Sequence, residues 1–296
     1  MNARNRAGAE WGRRRILRQA GMLELCRRTR GAAHVRIALI DGPILRSHPA
    51  LKDARIIEHP QVVGVEAADP AHATFIASLL VGRSLGVLGI APECTLLSLA
   101  VQDEAFQDLE LPASEAARRI ACAIQRAIDL QADLIQLSSE FLPQSDSAFA
   151  PVVLAIARAA SLGICTVVAA GNQPRLGASR IMLVSGVLPV AAATADGSLH
   201  PTAPLSPAIG RGIRSPGVGL PGAITDGGVG ERSGSSFAAA LVSGTLALMK
   251  GIHPRLSTLH IAAKRPRPTH SSMVPPMLDG AAWHSALPPI ELEKPA

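Results

Sequence analysis

Short apolar runs rich in β-branched residues recur along this chain and alternate with helical patterns, and that alternation limits the folds open to it more than any other feature. The runs are VRIALI at 35–40, TLLSLAV at 95–101, DLIQLS at 133–138, ICTVVAA at 164–170 and LPVAAAT at 188–194. An uninterrupted apolar run suits a strand buried on both faces of a parallel sheet, whereas a strand with one wet face alternates. Between the runs, residues 72–81, 114–130 and 151–161 are rich in Ala and Leu at helical spacing, and the second of these opens on a capping-box-like Ser114. Strand alternating with helix predicts an α/β chain: a doubly wound, mostly parallel sheet flanked by helices. Residues 197–234, dense in Gly, Pro and Ser, predict loops and short edge strands ahead of an apolar helix over 236–249, and a further helix after Pro254.

The 296 residues, 48% hydrophobic and 18% charged, suffice for one large domain with a substantial core. That domain is expected over 34–265. Ahead of it, Arg4, Arg6, Arg13, Arg14, Arg15, Arg18, Arg27, Arg28 and Arg30 predict a solvated basic helix or arm over 1–33, and behind it a Pro-rich tail over 266–296 is expected to be extended or disordered. No apolar run approaches the roughly eighteen residues a membrane span needs, so no membrane partner is expected. No secretory apolar stretch or small-residue cleavage site follows the basic start, which predicts a cytoplasmic protein. The net charge of +6 raises the question of nucleic acid, but aromatics make up 2% of the chain and Tyr is absent, so a stacking platform is lacking and no nucleic-acid partner is expected. Cys26, Cys94, Cys122 and Cys165 are scattered singly, which predicts buried free thiols rather than a disulfide framework. With no Cys/His cluster at zinc spacing, neither a metal nor another cofactor is expected.

In open parallel sheets, functional side chains gather beyond the carboxyl ends of the strands. Asp41 follows the first run directly, where a rigid strand would hold its carboxylate; taken alone, Asp41-Gly42-Pro43 also reads as a strand-ending turn. His72 opens a helix and would project from its start, although a lone His is more often a surface or cap residue. Asn172 closes the run-and-turn ICTVVAAGN, where its amide could serve a developing oxyanion or a plain turn. Ser236, in RSGSSFAAALVSG, stands at the mouth of a helix that must be buried, where free amides and the positive helix end favour negative charge. Ser235 and Ser236 are equally suited to capping that helix.

Taken in order, Asp, His, Asn and Ser with the segments around them, IALIDG, HATFIASLLVG, VLGIAPECTLLSLAV, VVAAGN and GSSFAAALVSG, resemble the subtilisin family over about Val35 to Lys264. The resemblance implies a subtilisin-like serine endopeptidase that cleaves a peptide or protein substrate through an acyl-enzyme. Asp41, His72 and Ser236 would be its triad and Asn172 an oxyanion donor. Asp41-Gly42-Pro43 followed by Ser47-His48-Pro49 is similar to the cyanobactin-type proteases that mature ribosomally made peptides. The segment DLIQLSSEF is similar to the family strand that pairs with substrate, which makes Ser138, Ser139 and Glu140 the expected substrate-binding residues. Glu140 stands where the family usually has a Gly that leaves the primary pocket open. Other departures fall beside the catalytic positions: Gly42-Pro43 after the Asp, Ala73 after the His, Ser235 before the Ser, and Ala240 in place of a helix Pro. These departures give the alternative reading, a degenerate subtilisin-like domain kept as a peptide-binding or scaffold subunit.

Overall fold

The computed structural model describes residues 12–61, 68–84, 86–103, 111–138, 148–267 and 272–289. Seven parallel strands form one sheet in the order β2-β3-β1-β4-β5-β6-β7: β1 Arg36–Asp41, β2 Arg55–Glu58, β3 Thr95–Ala100, β4 Leu134–Leu137, β5 Cys165–Ala169, β6 Val187–Ala193 and β7 Ile213–Pro216. Five of these are the apolar runs of the sequence. The first strand lies inside the sheet, between β3 and β4.

Successive side chains of a strand point to opposite faces, and the core divides accordingly. Ile37 and Leu39 of β1, Leu134 of β4 and Val167 of β5 join one cluster, while Ala38, Ile40, Ile135 and Val168 join the other. Helix α3 (Ala71–Val81) and helix α7 (Ser235–Ile252) cover the first face; α4 (Ala113–Asp129) and α5 (Ala150–Ser161) cover the second. In α7 every side chain from Ser235 to Met249 is buried, which is why its sequence shows almost no polar stripe. A short helix α6 (Pro207–Gly210) precedes β7, and β8 (Leu220–Ala223) with β9 (Val229–Arg232) makes a separate antiparallel hairpin ahead of α7.

The described parts of both flanking segments depart from expectation in packing on the core. Residues 12–19 form a helix, α1, and Leu23–Arg28 a second, α2; Ile16, Leu17, Ala20, Met22 and Leu25 are buried in the main core. These apolar residues recur at helical spacing among the arginines, so the described part of the basic segment is amphipathic rather than wholly solvated. The described part of the tail is packed as well. Arg214 of β7 accepts from Leu278 N–H (2.7 Å) and donates to the Pro276 carbonyl (2.8 Å), which lays the chain along the sheet edge. After α8 (Thr258–Ala263), helix α9 (Gly280–Ser285) is capped by Asp279, and its Trp283 is fully buried with Nε1 donating to the Ile261 carbonyl at 2.8 Å. Gly280 N–H meets the Ala20 carbonyl at 2.9 Å, so the two ends close on each other. The four thiols are unpaired, but Cys122 is exposed on α4 and Cys26 half-buried, which corrects the expectation that all are buried.

Trp283→Ala removes the largest fully buried side chain among the described residues, and we expect it to lower the unfolding free energy by about 3–5 kcal/mol in denaturant titration. An unchanged midpoint would mean that the C-terminal helix is not part of the cooperative unit.

Candidate active site

The strand registers bring the sequence-predicted residues together. Ile40 of β1 is level with Leu137 of β4, and Leu137 with Val168 of β5, so Asp41, Ser138 and the turn ending at Asn172 emerge at one edge of the sheet. His72, the second residue of α3, and Ser236, the second of α7, face that edge. Asp41 is 1% exposed, while the His72 side chain remains 36% exposed. A charge as deeply placed as the first needs partners. Asp41 has two: Gly42 N–H donates to Oδ1 at 2.7 Å, and His72 Nδ1 lies 2.9 Å from Oδ1 and 3.0 Å from Oδ2. The bond to Nδ1 places a proton there in the neutral ring and leaves Nε2 as the basic nitrogen.

Burial pushes the His72 imidazole toward a lower pKa, but the adjacent Asp41, through its charge and its hydrogen bond, more than reverses this, and the ring ends above its ordinary value. Arg232 works against the rise and Asp69 with it.

Helix α7 begins inside the protein, so its first amides need acceptors away from water. Asn172 Oδ1 accepts from Ser235 N–H at 2.8 Å, and Ser235 Oγ in turn accepts from Gly171 N–H at 3.1 Å. The amide plane of Asn172 is thereby fixed through its oxygen on the first turn of α7. The departure from Thr to Ser at 235 keeps the hydroxyl that this contact uses. Ser236 Oγ donates to the Ser138 carbonyl at 3.1 Å and makes no hydrogen bond with His72. Ser139 and Glu140, expected beside Ser138 in the substrate strand, lie outside the described residues.

Three neighbours are not singled out by sequence reasoning. Gln136 is fully buried on β4 and donates through Nε2 to Ser138 Oγ at 3.1 Å and to the Ser236 carbonyl at 3.4 Å. Its signal was a lone amide inside an apolar strand. Phe237 lies against His72 with ring centroids 5.5 Å apart and against Phe75 at 4.8 Å. Phe75 in turn rests on Gly222 of β8, where an added Cβ would come within 2.7 Å of the ring. Aromatic residues at helix positions carry no local mark that separates a core ring from one that walls a site.

Residues 32–264 match the Peptidase S8 subtilase family. The chain belongs to the subtilase family. It is 31% identical over 224 residues to a thermostable alkaline protease of Halalkalibacterium halodurans, and 28% identical over 229 residues to subtilisin E of Bacillus subtilis. These matches take in 74% and 75% of this subtilase and 57% of each relative, so it spans little more than half the length of the curated relatives. Among solved structures, the prenylagaramide maturation protease PagA is 25% identical, with a TM-score of 0.78 over 91% of this chain and 99% of that one. The patellamide maturation protease PatA (23% identity, TM-score 0.72, 86% and 98% covered) and the PatG macrocyclase in complex with peptide (18%, 0.74, 91% and 96%) share the fold.

In a proton-NMR titration of this subtilase, His72 is expected to titrate above the usual 6.5 of an imidazole, because Asp41 outweighs burial. In Asp41→Asn only the burial effect and the Arg232 charge dominate, so the same resonance should titrate below the wild-type value. A midpoint that does not move on substitution would show that Asp41 does not control the ring.

Proposed function

We propose that this subtilase is a serine endopeptidase that matures a ribosomally made peptide. The observation that carries the reading is the buried Asp41 carboxylate holding His72 Nδ1 at 2.9 and 3.0 Å beside the N-terminus of the helix that bears Ser236. Similarity to proteases named for peptide maturation, PagA above all, supports the kind of substrate.

In this reading the Ser236 hydroxyl turns from the Ser138 carbonyl to His72 Nε2, loses its proton there and attacks the scissile carbonyl carbon. Asp41 keeps the ring in the Nδ1–H tautomer and stabilises the imidazolium as it forms. The tetrahedral oxygen receives hydrogen bonds from the Ser236 N–H and the Asn172 NH2. The amide held through Oδ1 at 2.8 Å is oriented before substrate arrives, so little reorganisation is needed at the moment charge develops. His72 then gives its proton to the leaving nitrogen, the C–N bond breaks, and the acyl-enzyme passes to water. Ser138, at the end of β4, lines the acyl side of the cleft.

A fluorophosphonate probe is the decisive experiment: it should label the wild-type chain at Ser236, found by peptide mapping, and leave Ser236→Ala unlabelled though folded. Ser236→Ala should also lose nearly all cleavage, whereas Ser235→Ala, which removes only a contact to Gly171, should keep much more. Labelling at Ser235 would overturn the assignment of the nucleophile, and a folded chain that takes up no probe would overturn the peptidase reading.

Asn172→Ala should lower kcat by about a hundredfold or more with KM little changed, since its bond serves charge present only in the transition state. Loss of stability with unchanged turnover would assign Asn172 to the helix cap alone.

A further inference from the structure

Arg232 is the last residue of β9 and stands four positions before Ser236. Its guanidinium lies over the Phe75 ring, 5.5 Å from the centroid. Phe75 packs on Phe237 and Phe237 on His72, at 4.8 and 5.5 Å, so the cation closes a stack whose other end is the imidazole. The side chain is half-buried, yet among the described residues it has neither an ion pair nor a hydrogen bond. Other arginines of the chain are paired: Arg55 and Arg83 with Glu93, Arg118 with Glu115, Arg119 with Asp103 and Glu115. The acids nearest the stack are committed elsewhere, Asp41 to His72 and Gly42, and Asp69 Oδ1 to the Ala71 N–H at the start of α3.

A lone cation at the end of this stack opposes the imidazolium that proton transfer requires, acting against the larger pull of Asp41. We propose that Arg232 selects substrates that carry a carboxylate side chain, Asp or Glu, in the first two residues on the leaving side of the scissile bond. The flank follows from the chemistry of the site. Ser138 and Asn172 border Ser236 from the β4 and β5 side, where the acyl half and its oxyanion lie. His72 must deliver a proton to the leaving nitrogen, so the other half departs past the ring, on the flank that the Phe237–Phe75–Arg232 stack builds. A carboxylate arriving there pairs with the guanidinium and offsets its effect on His72, and fork geometry favours Arg for the purpose.

This inference rests on the peptidase reading, and the test separates the two. A random peptide library is profiled in two ways, by cleavage with the wild-type chain and by capture on immobilised Ser236→Ala protein. Acidic residues should be enriched about fivefold after the cut bond, the scale of a partly exposed ion pair, and enriched likewise among captured peptides. Arg232→Gln should abolish both enrichments, Arg232→Lys should restore part of them, and Arg232→Glu should replace them with Lys and Arg. Enrichment that is absent, that survives Arg232→Gln, or that falls only on the acyl side would overturn the proposal. Capture that depends on residue 232 in this way without any cleavage would uphold the role of Arg232 and sink the peptidase reading instead.

Discussion

A helix buried on every side must bury its first turn as well, and the site follows from how that is done. The amides of the first turn of α7 have no carbonyls behind them within the helix. Asn172 and the Gly171 turn fill the gap, one accepting from Ser235 N–H and the other donating to Ser235 Oγ. Those two bonds lock the end of β5 to the start of α7. Because β5 is in register with β4, and β4 with β1, the same lock fixes Ser236 relative to Ser138 and Asp41. Gln136 reinforces it from beneath, placing an amide where the facing strand residues are apolar and joining β4 to the Ser236 carbonyl. The geometry of the site is therefore a property of the sheet register and the helix end, not of flexible loops.

The electrostatics of the edge are built on the same frame. A carboxylate as buried as Asp41 is stable only while its oxygens are satisfied, and His72 with Gly42 supplies those bonds. The imidazole is held by one nitrogen and reachable at the other, so a buried anion controls the basicity of an accessible base. Arg232 enters the balance with the opposite sign and from the opposite end of an aromatic stack. Two of the five Phe residues of a chain with so few aromatics are spent on this stack.

How much of this was legible in the sequence depended on whether the signal was local. The strands β1, β3, β4, β5 and β6 could be read because burial on both faces leaves no polar residue to interrupt a run. Strand β2, RIIE, could not: at the sheet edge three of its four side chains face water, and four residues are too few to establish a pattern. Asp41, His72, Asn172 and Ser236 stood out as candidates because each sits at or just beyond the end of a readable element. The chain ends were misread for the opposite reason. Among the arginines of residues 12–28, the apolar stripe Ile16, Leu17, Ala20 and Leu25 has only a few members, and charge density hides it; Trp283 is a single residue in a Pro-rich stretch, and only the cavity it fills gives it meaning. Arg232 and Phe237 belong to the site through a stack of rings from α3, α7 and β9, a relation between elements that no spacing within one of them encodes.

The small residues of α7 carry one more consequence. Ala238, Ala239, Ala240 and Ala247 let the helix approach the sheet closely, and at Gly244 the approach continues on the neighbouring side, where an added Cβ would stand 2.5 Å from Ile90. Ile90 belongs to the segment whose amides close the carbonyl end of α3, with Ile90 N–H on Leu79 at 2.8 Å and Ala91 N–H on Leu80 at 2.8 Å. The contact at Gly244 therefore fixes the separation of α7 from the far end of α3, while His72 and Phe237 meet at the near end. Close packing transmits such a constraint because a dense interior cannot yield locally. The position of the imidazole relative to Ser236 is thus set at two points of the α3–α7 pair, one inside the site and one at its distal end. A bulkier residue at 244 would act on the near end without touching any group that meets substrate.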